Sequence, residues 1–147
     1  MNTKIACLSF YLLFATLLSG ASLPNKVFAQ SATTKNRVVF QVSDNDPMKW
    51  NLALNNAQNV QADLGAETVD IEIVVYGPGI GMLKSDSPVV QRVAGAIKTG
   101  IKVVACENTM KAQKLAPSDM LPTISYVPAG VVELIQKQQQ GYAYIRP

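Results

Sequence analysis

Short apolar runs alternate with longer segments of helical periodicity from residue 37 to the carboxyl terminus. Five runs are rich in β-branched or aromatic residues and are bounded by turn residues, which predicts strands at 38–42, 69–76, 101–106, 124–127 and 142–145. Between the strands, apolar residues recur every three or four positions, which predicts helices at 47–64, 89–99 and 128–140. A further short helix is predicted to follow Asn108 as its cap and to end before Pro117.

Strands that are separated by helical crossovers pair in parallel, and the helices then cover both faces of the sheet. The sequence therefore predicts the α/β fold class, as a doubly wound, flavodoxin-like sheet of about five mostly parallel strands. In such sheets ligands bind outside the carboxyl ends of the strands. Those ends lie at 43–45, 77–82, 106–108 and 127–128, and they supply the candidate ligand-binding residues Asn45, Gly77, Gly79 and Asn108.

The amino terminus has the pattern of a secretory signal peptide. Lys4 precedes a charge-free apolar run at 5–18, and small residues before position 30 predict cleavage after Ala29. We expect residues 1–29 to be the signal peptide, 30–36 a short polar lead-in and 37–147 the domain. The predicted location is the periplasm or the outside of the cell. An uncleaved anchor is the alternative, because the run from Ile5 to Pro24 contains no charge.

The composition excludes several classes of function. The formal charge of +3 falls to +1 when Lys4 and Lys26 leave with the signal peptide, and the basic residues do not cluster, so no nucleic-acid partner is expected. The chain has no histidine, which excludes Ser-His-Asp and Cys-His catalysis and the usual zinc sites. Of two cysteines, Cys7 lies in the predicted signal peptide, so the mature chain can form no internal disulfide or iron–sulfur cluster.

No cofactor or metal site is predicted. The glycine-rich segment 77–81 follows a strand, but its glycines are out of register with a dinucleotide-binding fingerprint. The 43–45 loop lacks the hydroxyl-rich phosphate-binding composition of a flavodoxin. We therefore expect neither a nucleotide nor a flavin.

Cys106 is the candidate catalytic residue. It ends the third predicted strand just before a helix, where backbone N–H groups and the helix dipole favour a thiolate. Lys111 and Lys114 on that helix favour the thiolate as well, whereas Glu107 opposes it. The alternative is an inert, buried cysteine that packs as a small apolar residue. Because the sequence offers no general acid or base beside the thiol, a carrier fits better than a turnover enzyme.

Four segments in order, together with the amide-rich stretch 55–59, resemble one known family. They are VYGPG at 75–79, CENTMK at 106–111, VPAGVVELI at 127–135 and GYAYIRP at 141–147. Over residues 37–147 the chain resembles the DsrE/DsrF-like family, as an exported branch of it. The resemblance implies flavodoxin-like subunits that assemble as homotrimers or homohexamers. It also implies that the cysteine matching Cys106 carries sulfane sulfur as a persulfide, with Asn108 steadying the helix end.

Two functional hypotheses follow. The first is an exported sulfur-relay protein, in which Cys106 takes sulfur from a donor protein and passes it to an acceptor thiol. The second is a non-catalytic module of the cell envelope that binds a small ligand or assists assembly, in which Cys106 only packs. In both, the mature protein has no membrane partner after signal cleavage.

Overall fold

Five parallel strands form one sheet in the computed structural model, which describes residues 35–147. The sheet order is β4-β3-β2-β1-β5 and every neighbouring pair is parallel, which confirms the predicted fold class. The strands are β1 (Asn36–Val42), β2 (Val69–Val75), β3 (Lys102–Cys106), β4 (Ser125–Val127) and β5 (Ala143–Ile145). The predicted signal peptide and residues 30–34 of the lead-in lie outside the described residues.

Four α-helices connect the strands at the predicted places. They are α1 (Pro47–Leu64), α2 (Val90–Lys98), α3 (Glu107–Ala112) and α4 (Gly130–Gln139). The start of α1 follows from its sequence, because the Asp46 carboxylate accepts the Met48 N–H at 2.9 Å and Pro47 occupies the first helical position. Two short 3-10 helices, Gly77–Leu83 and Pro117–Asp119, complete the chain; the first was predicted as a loop.

Two helix starts differ from the prediction. Helix α3 begins at Glu107, and its cap is Cys106 rather than Asn108, because the Cys106 sulfur accepts the Thr109 N–H. Helix α4 begins at Gly130 rather than Pro128, since Ala129 before it is extended and the Pro128 carbonyl accepts the Asn108 N–H at 3.1 Å. The first difference is a local capping contact, and the second coincides with a contact between the segments that follow β3 and β4.

The sheet separates two apolar cores of unequal size. The larger core lies on the face covered by α1, α2 and α3, and includes the fully buried Phe40 and Leu54, each stabilising the fold by about 1.5–3 kcal/mol. The smaller core lies under α4 and consists of the buried side chains Val39, Val74, Val104 and Leu134. No helix within residues 35–147 is long and apolar enough to cross a membrane.

This arrangement places a crevice at Cys106. The connection after β3 runs over the larger core, through Met110 of α3, whereas the connection after β4 runs over the smaller core, through Leu134 of α4. Connections that leave neighbouring strands to opposite faces have a crevice between them, at the carboxyl edge of the sheet where α/β proteins bind ligands. Cys106 is the last residue of β3 and pairs with Val127 of β4 at this position.

Candidate functional site

The Cys106 thiol lies between the amino ends of two helices. Side chains alternate along a strand, so Cys106 points to the same face as Val104, which is the α4 face. The residue is also the cap of α3. It is a free thiol with 5% of its surface exposed. The sulfur is therefore held inside the crevice rather than presented on the surface.

Asn108, Thr109 and Gly130 lie around this sulfur, and together with Cys106 we call them the thiolate site. The Thr109 backbone N–H lies 3.4 Å from the sulfur. The Thr109 hydroxyl and the backbone groups of Gly130 and Asn108 also favour the charged form of the sulfur. Two of the three residues come from α3 and one from α4, so the site exists only when both helices are in place.

The thiolate site lowers the pKa of Cys106. Burial alone raises the pKa of this thiol, but the hydrogen bond from the Thr109 hydroxyl and those from the Gly130, Thr109 and Asn108 N–H groups together outweigh burial. Donors that point at a sulfur stabilise its charged form. The chief causes are thus hydrogen bonds and not the ammonium groups of lysines 111 and 114, to which the sequence pointed.

Gly77 is connected to the thiolate site through Thr109. The Gly77 N–H donates to the Thr109 hydroxyl oxygen at 2.9 Å, and the Gln113 side chain donates to the Gly77 carbonyl at 3.2 Å. Because the Thr109 oxygen accepts from Gly77, its own hydrogen is free to point at the Cys106 sulfur. Gly77 has φ of +55°, which favours glycine. Gly77 therefore contacts the thiolate site through its N–H group.

Backbone contacts close the crevice between the ends of β3 and β4. The Asn108 N–H donates to the Pro128 carbonyl. Gly130 packs against Tyr76, where an added Cβ would lie 3.0 Å from the Tyr76 Cβ. Glycine thus lets the amino end of α4 lie directly against Tyr76, which follows β2.

The other two candidate residues lie at the end of β1. The Gly79 N–H donates to the Ser43 carbonyl at 3.0 Å, and a Cβ on Gly79 would lie 2.7 Å from the Val42 oxygen. Asn45 places its amide oxygen beside Gly81. The structure thus joins Asn108 and Gly77 to Cys106, whereas Gly79 and Asn45 make contacts within the fold. For all four, ligand binding stays a prediction.

The sequence interpretation missed Thr109 and Gly130 as functional residues. For Thr109 a signal was present, since a residue that caps a helix bonds the N–H group two or three residues later. Cys106 as the cap would have placed Thr109 at that position. No local signal marks Gly130, because its contact with the sulfur depends on how α4 returns across the sheet.

Two cavities flank the crevice. One of about 380 Å³ lies beside α3 and is lined by Glu107, Met110, Lys111, Leu115, Pro117 and Tyr126. The other, of about 290 Å³, lies beside α4 and is lined by Pro128, Ala129, Val132, Glu133 and Gln136. In the described part of the chain, no group of three or more acidic or cysteine side chains is placed to hold a metal ion.

Three solved structures are similar to this chain over most of its length. A protein of unknown function from Methanobacterium thermoautotrophicum is 36% identical, with a TM-score of 0.72, and the alignment covers 76% of this chain and 99% of that protein. A conserved protein of unknown function from Bacteroides thetaiotaomicron is 13% identical, with a TM-score of 0.63, covering 80% and 99%. The ychN protein from E. coli is 10% identical, with a TM-score of 0.59, covering 77% and 99%.

The two less similar structures support the fold alone. The model of the DsrE/DsrF-like family matches residues 27–147, which includes every element of the described domain. No curated protein matches the chain.

Proposed function

Because the chain belongs to the DsrE/DsrF-like family, we propose that it is a sulfur-relay protein that carries sulfane sulfur as a persulfide on Cys106. The observation that carries this proposal is the thiolate site, in which the Cys106 sulfur accepts the Thr109 N–H at 3.4 Å between the starts of α3 and α4 and its surroundings lower the pKa of the thiol. A thiolate is the nucleophilic form of cysteine. The site therefore supports the form of Cys106 that sulfur transfer requires.

The chemistry balances with thiolates alone. The Cys106 thiolate attacks the outer sulfur of a persulfide donor, R–S–SH, and the bond between that sulfur and R–S breaks. The products are the Cys106 persulfide and the donor thiolate, R–S⁻. An acceptor thiolate then attacks the outer sulfur of the Cys106 persulfide, and Cys106 leaves again as a thiolate. No net oxidation occurs, and no general acid or base is needed.

The same donors support both transfers. They stabilise the attacking thiolate in the first transfer and the leaving thiolate in the second. Because Cys106 is only 5% exposed, the donor must present its outer sulfur on a slender group. Persulfides and polysulfides meet this requirement, since a single sulfur atom forms their reactive end.

We further propose that the protein is exported and acts as a homotrimer or homohexamer, with separate donor and acceptor proteins. The proposal of export is supported by the sequence pattern of residues 1–29. That of an oligomer is supported by exposed apolar side chains on α4, since Val131, Val132 and Ile135 are each about half exposed. Exposed apolar residues that lie together are typical of protein contacts.

The low exposure of Cys106 also favours a second candidate function. A buried thiol can be an inert packing residue, and the protein would then be a non-catalytic module of the cell envelope that binds a small ligand or assists assembly. In that case the apolar side of α4 would be its functional surface.

Intact-mass spectrometry of the purified domain distinguishes the two functions. After exposure to polysulfide, we expect the protein to gain the mass of one sulfur atom, a reductant to remove it, and Cys106→Ser to lack it. The carrier proposal is contradicted by a folded protein that gains no sulfur and whose thiol also resists alkylation. That result would support the second function.

A further inference from the structure

Two lysines that follow Cys106 in the chain have no part in the thiolate site. Lys111 lies in α3, and Lys114 lies beyond the end of that helix. Both residues are exposed. Neither of them belongs to any ion pair that joins two of the described residues. Their positive charges therefore face solvent, where a molecule from outside the chain can meet them.

These lysines border the cavity beside α3. Lys111 lines this cavity, and Lys114 directly precedes Leu115, which also lines it. Met110, Leu115 and Tyr126 supply most of the apolar lining. The volume of about 380 Å³ is near the lower limit of ligand pockets, which span about 300–1,000 Å³. The cavity therefore suits a small apolar group that a larger molecule inserts, rather than a whole cofactor.

The lining favours a polypeptide as that larger molecule. Tyr126 lies on β4, an edge strand of the sheet, and is 36% exposed. Aromatic and methionine side chains are enriched where proteins contact each other, and Tyr126 and Met110 line the cavity together. Charged residues at the rim of such a contact attract a partner of opposite charge. With two lysines at the rim, the complementary partner is acidic.

The backbone conformation of Lys114 supports a role for its side chain. Lys114 has φ of +56°, and among the described residues it is the only non-glycine residue with a positive φ. Its N–H donates to the Lys111 carbonyl at 3.2 Å, and the Leu115 N–H donates to the Met110 carbonyl at 2.9 Å. A helix end with these two hydrogen bonds usually has glycine at this position. Lysine is less stable than glycine there, and a partner that binds its ammonium group explains why the position is not glycine.

The acidic residue of the lining gives the cavity a direction. Glu107 directly follows Cys106, whereas Lys111 lies about one helical turn farther along α3. The negative charges of an occupant are thus attracted to the lysine end and repelled from the Cys106 end. An anion beside Cys106 would raise the pKa of the thiol. The arrangement therefore keeps the acidic residues of a partner away from the sulfur.

We propose that this cavity, with Lys111 and Lys114 at its rim, docks an acidic segment of the protein that exchanges sulfur with Cys106. The segment inserts an apolar side chain into the cavity and places its carboxylates at the two lysines. Because the lining begins one residue after Cys106, docking there brings the partner's persulfide or thiol to the crevice. The inference rests on the proposed function for the identity of the partner, and it deepens that function by stating the chemistry of the partner's surface.

The test begins with a random peptide library displayed on phage and selected for binding to the purified protein. We expect the selected peptides to carry acidic residues around an apolar or aromatic residue. One of them, labelled with fluorescein, is then titrated with variants, and its Kd is measured by fluorescence anisotropy. Lys111→Gln with Lys114→Gln removes two exposed ion pairs and should raise the Kd about tenfold at low ionic strength. Tyr126→Ala, which removes apolar lining, should raise the Kd as well.

The matched control is Lys98→Gln with Lys102→Gln, which removes the same charge from the opposite edge of the sheet. Lys98 ends α2, Lys102 begins β3, and both are exposed. Because distant charges are screened by salt, we expect this variant to change the Kd by less than about twofold. Glu107→Gln should act in the other direction and lower the Kd, since it removes a repulsive charge.

Lys114→Gly separates binding from stability. Because glycine suits the positive φ, this variant should unfold at a higher urea concentration than the wild type, while it binds the peptide more weakly. The proposal is overturned if selection yields no acidic peptide, or if the control weakens binding as much as the Lys111 and Lys114 double variant. It is also overturned if the Lys114→Gly protein is folded and binds the peptide like the wild type.

Failure of this proposal is distinguishable from failure of the carrier function, because peptide binding is measured without any sulfur donor. A wild-type protein that gains sulfur from polysulfide but selects no acidic peptide overturns only the docking site. A wild-type protein that binds acidic peptides through the two lysines but gains no sulfur contradicts only the carrier function.

Discussion

Replacing Thr109 by valine tests how the thiolate site works. The Thr109 hydroxyl accepts the Gly77 N–H, and of the groups that lower the pKa of Cys106 it has the largest effect. Valine keeps the branched shape and removes the hydroxyl. The backbone N–H of residue 109 still donates to the sulfur, so the change removes the effect of the hydroxyl alone.

The expected magnitude follows from these contacts. A hydrogen bond to a charged group contributes about 1.5–3 kcal/mol, and about 1.4 kcal/mol corresponds to one pKa unit. We therefore expect Thr109→Val to raise the Cys106 pKa by about one to two units. The variant also leaves the Gly77 N–H without its acceptor. Since Gly77 is only half-buried, the loss of stability should lie near the lower end of about 1–3 kcal/mol.

The assay is the rate of alkylation by iodoacetamide, followed by intact mass from about pH 5 to about pH 10, a range that brackets the ordinary cysteine pKa. Because the thiolate is the reacting form and its pKa is lowered in the folded protein, the wild type should reach half its maximal rate below the ordinary value. The valine profile should be displaced to higher pH.

Thr109→Ser is the matched control, because serine keeps the hydroxyl and should titrate like the wild type. The reasoning is refuted if the valine and wild-type profiles superimpose while both proteins are folded. The backbone donors alone would then account for the state of Cys106.

Two further predictions concern stability. Gly79→Ala should lower the free energy of unfolding, measured in urea, by about 1–3 kcal/mol, because the new Cβ would lie 2.7 Å from a carbonyl oxygen. Gly95→Ala in α2 has open space around the new Cβ, so it should raise the free energy of unfolding by about 0.5–1 kcal/mol. Equal effects of the two substitutions would contradict this prediction. Lys35, whose ammonium lies 2.9 Å from the Asp70 carboxylate, is the main cause of the lowered pKa of Asp70. The ion pair therefore stabilises the fold at pH values above the unfolded-state pKa of aspartate. This stabilisation is lost as the pH falls through the folded-state pKa of Asp70. Asp70→Asn should remove less than about 1 kcal/mol at about pH 7 and nothing at about pH 2, and an equal loss at both would argue against the pair.

The sequence was sufficient to predict the elements that a local pattern determines. Apolar runs such as 101–106 are typical of strands buried on both faces, and in the structure residues 103–106 are buried as part of β3. Parallel pairing followed from the alternation of strands and helices. Because the strand end was predicted correctly, the sequence alone assigned Cys106 to the carboxyl edge of the sheet.

The composition of the thiolate site could not be predicted, because it depends on contacts between distant segments. The cap of α3 is Cys106 rather than Asn108 because the Cys106 sulfur accepts the Thr109 N–H, while the Asn108 N–H bonds to Pro128 of the next connection. The Gly130 donor requires α4 to cross the opposite face of the sheet. The local pattern of apolar residues predicts neither contact, because it indicates which face of an element is buried and not which loops contact each other.

Cys106 caps α3 and is also the proposed sulfur carrier, so serine is the informative substitution at this position. Its sulfur caps α3 by accepting the Thr109 N–H. Replacing a helix-capping residue by alanine lowers stability by about 1 kcal/mol. Serine is a good capping residue, so Cys106→Ser keeps this contact while it removes the nucleophile. If the serine variant folds and gains no sulfur, the lost uptake is therefore due to the missing thiol and not to a lost helix cap. The cap and the carrier require the same property, an electron-rich sulfur facing backbone N–H groups, so one local geometry serves both.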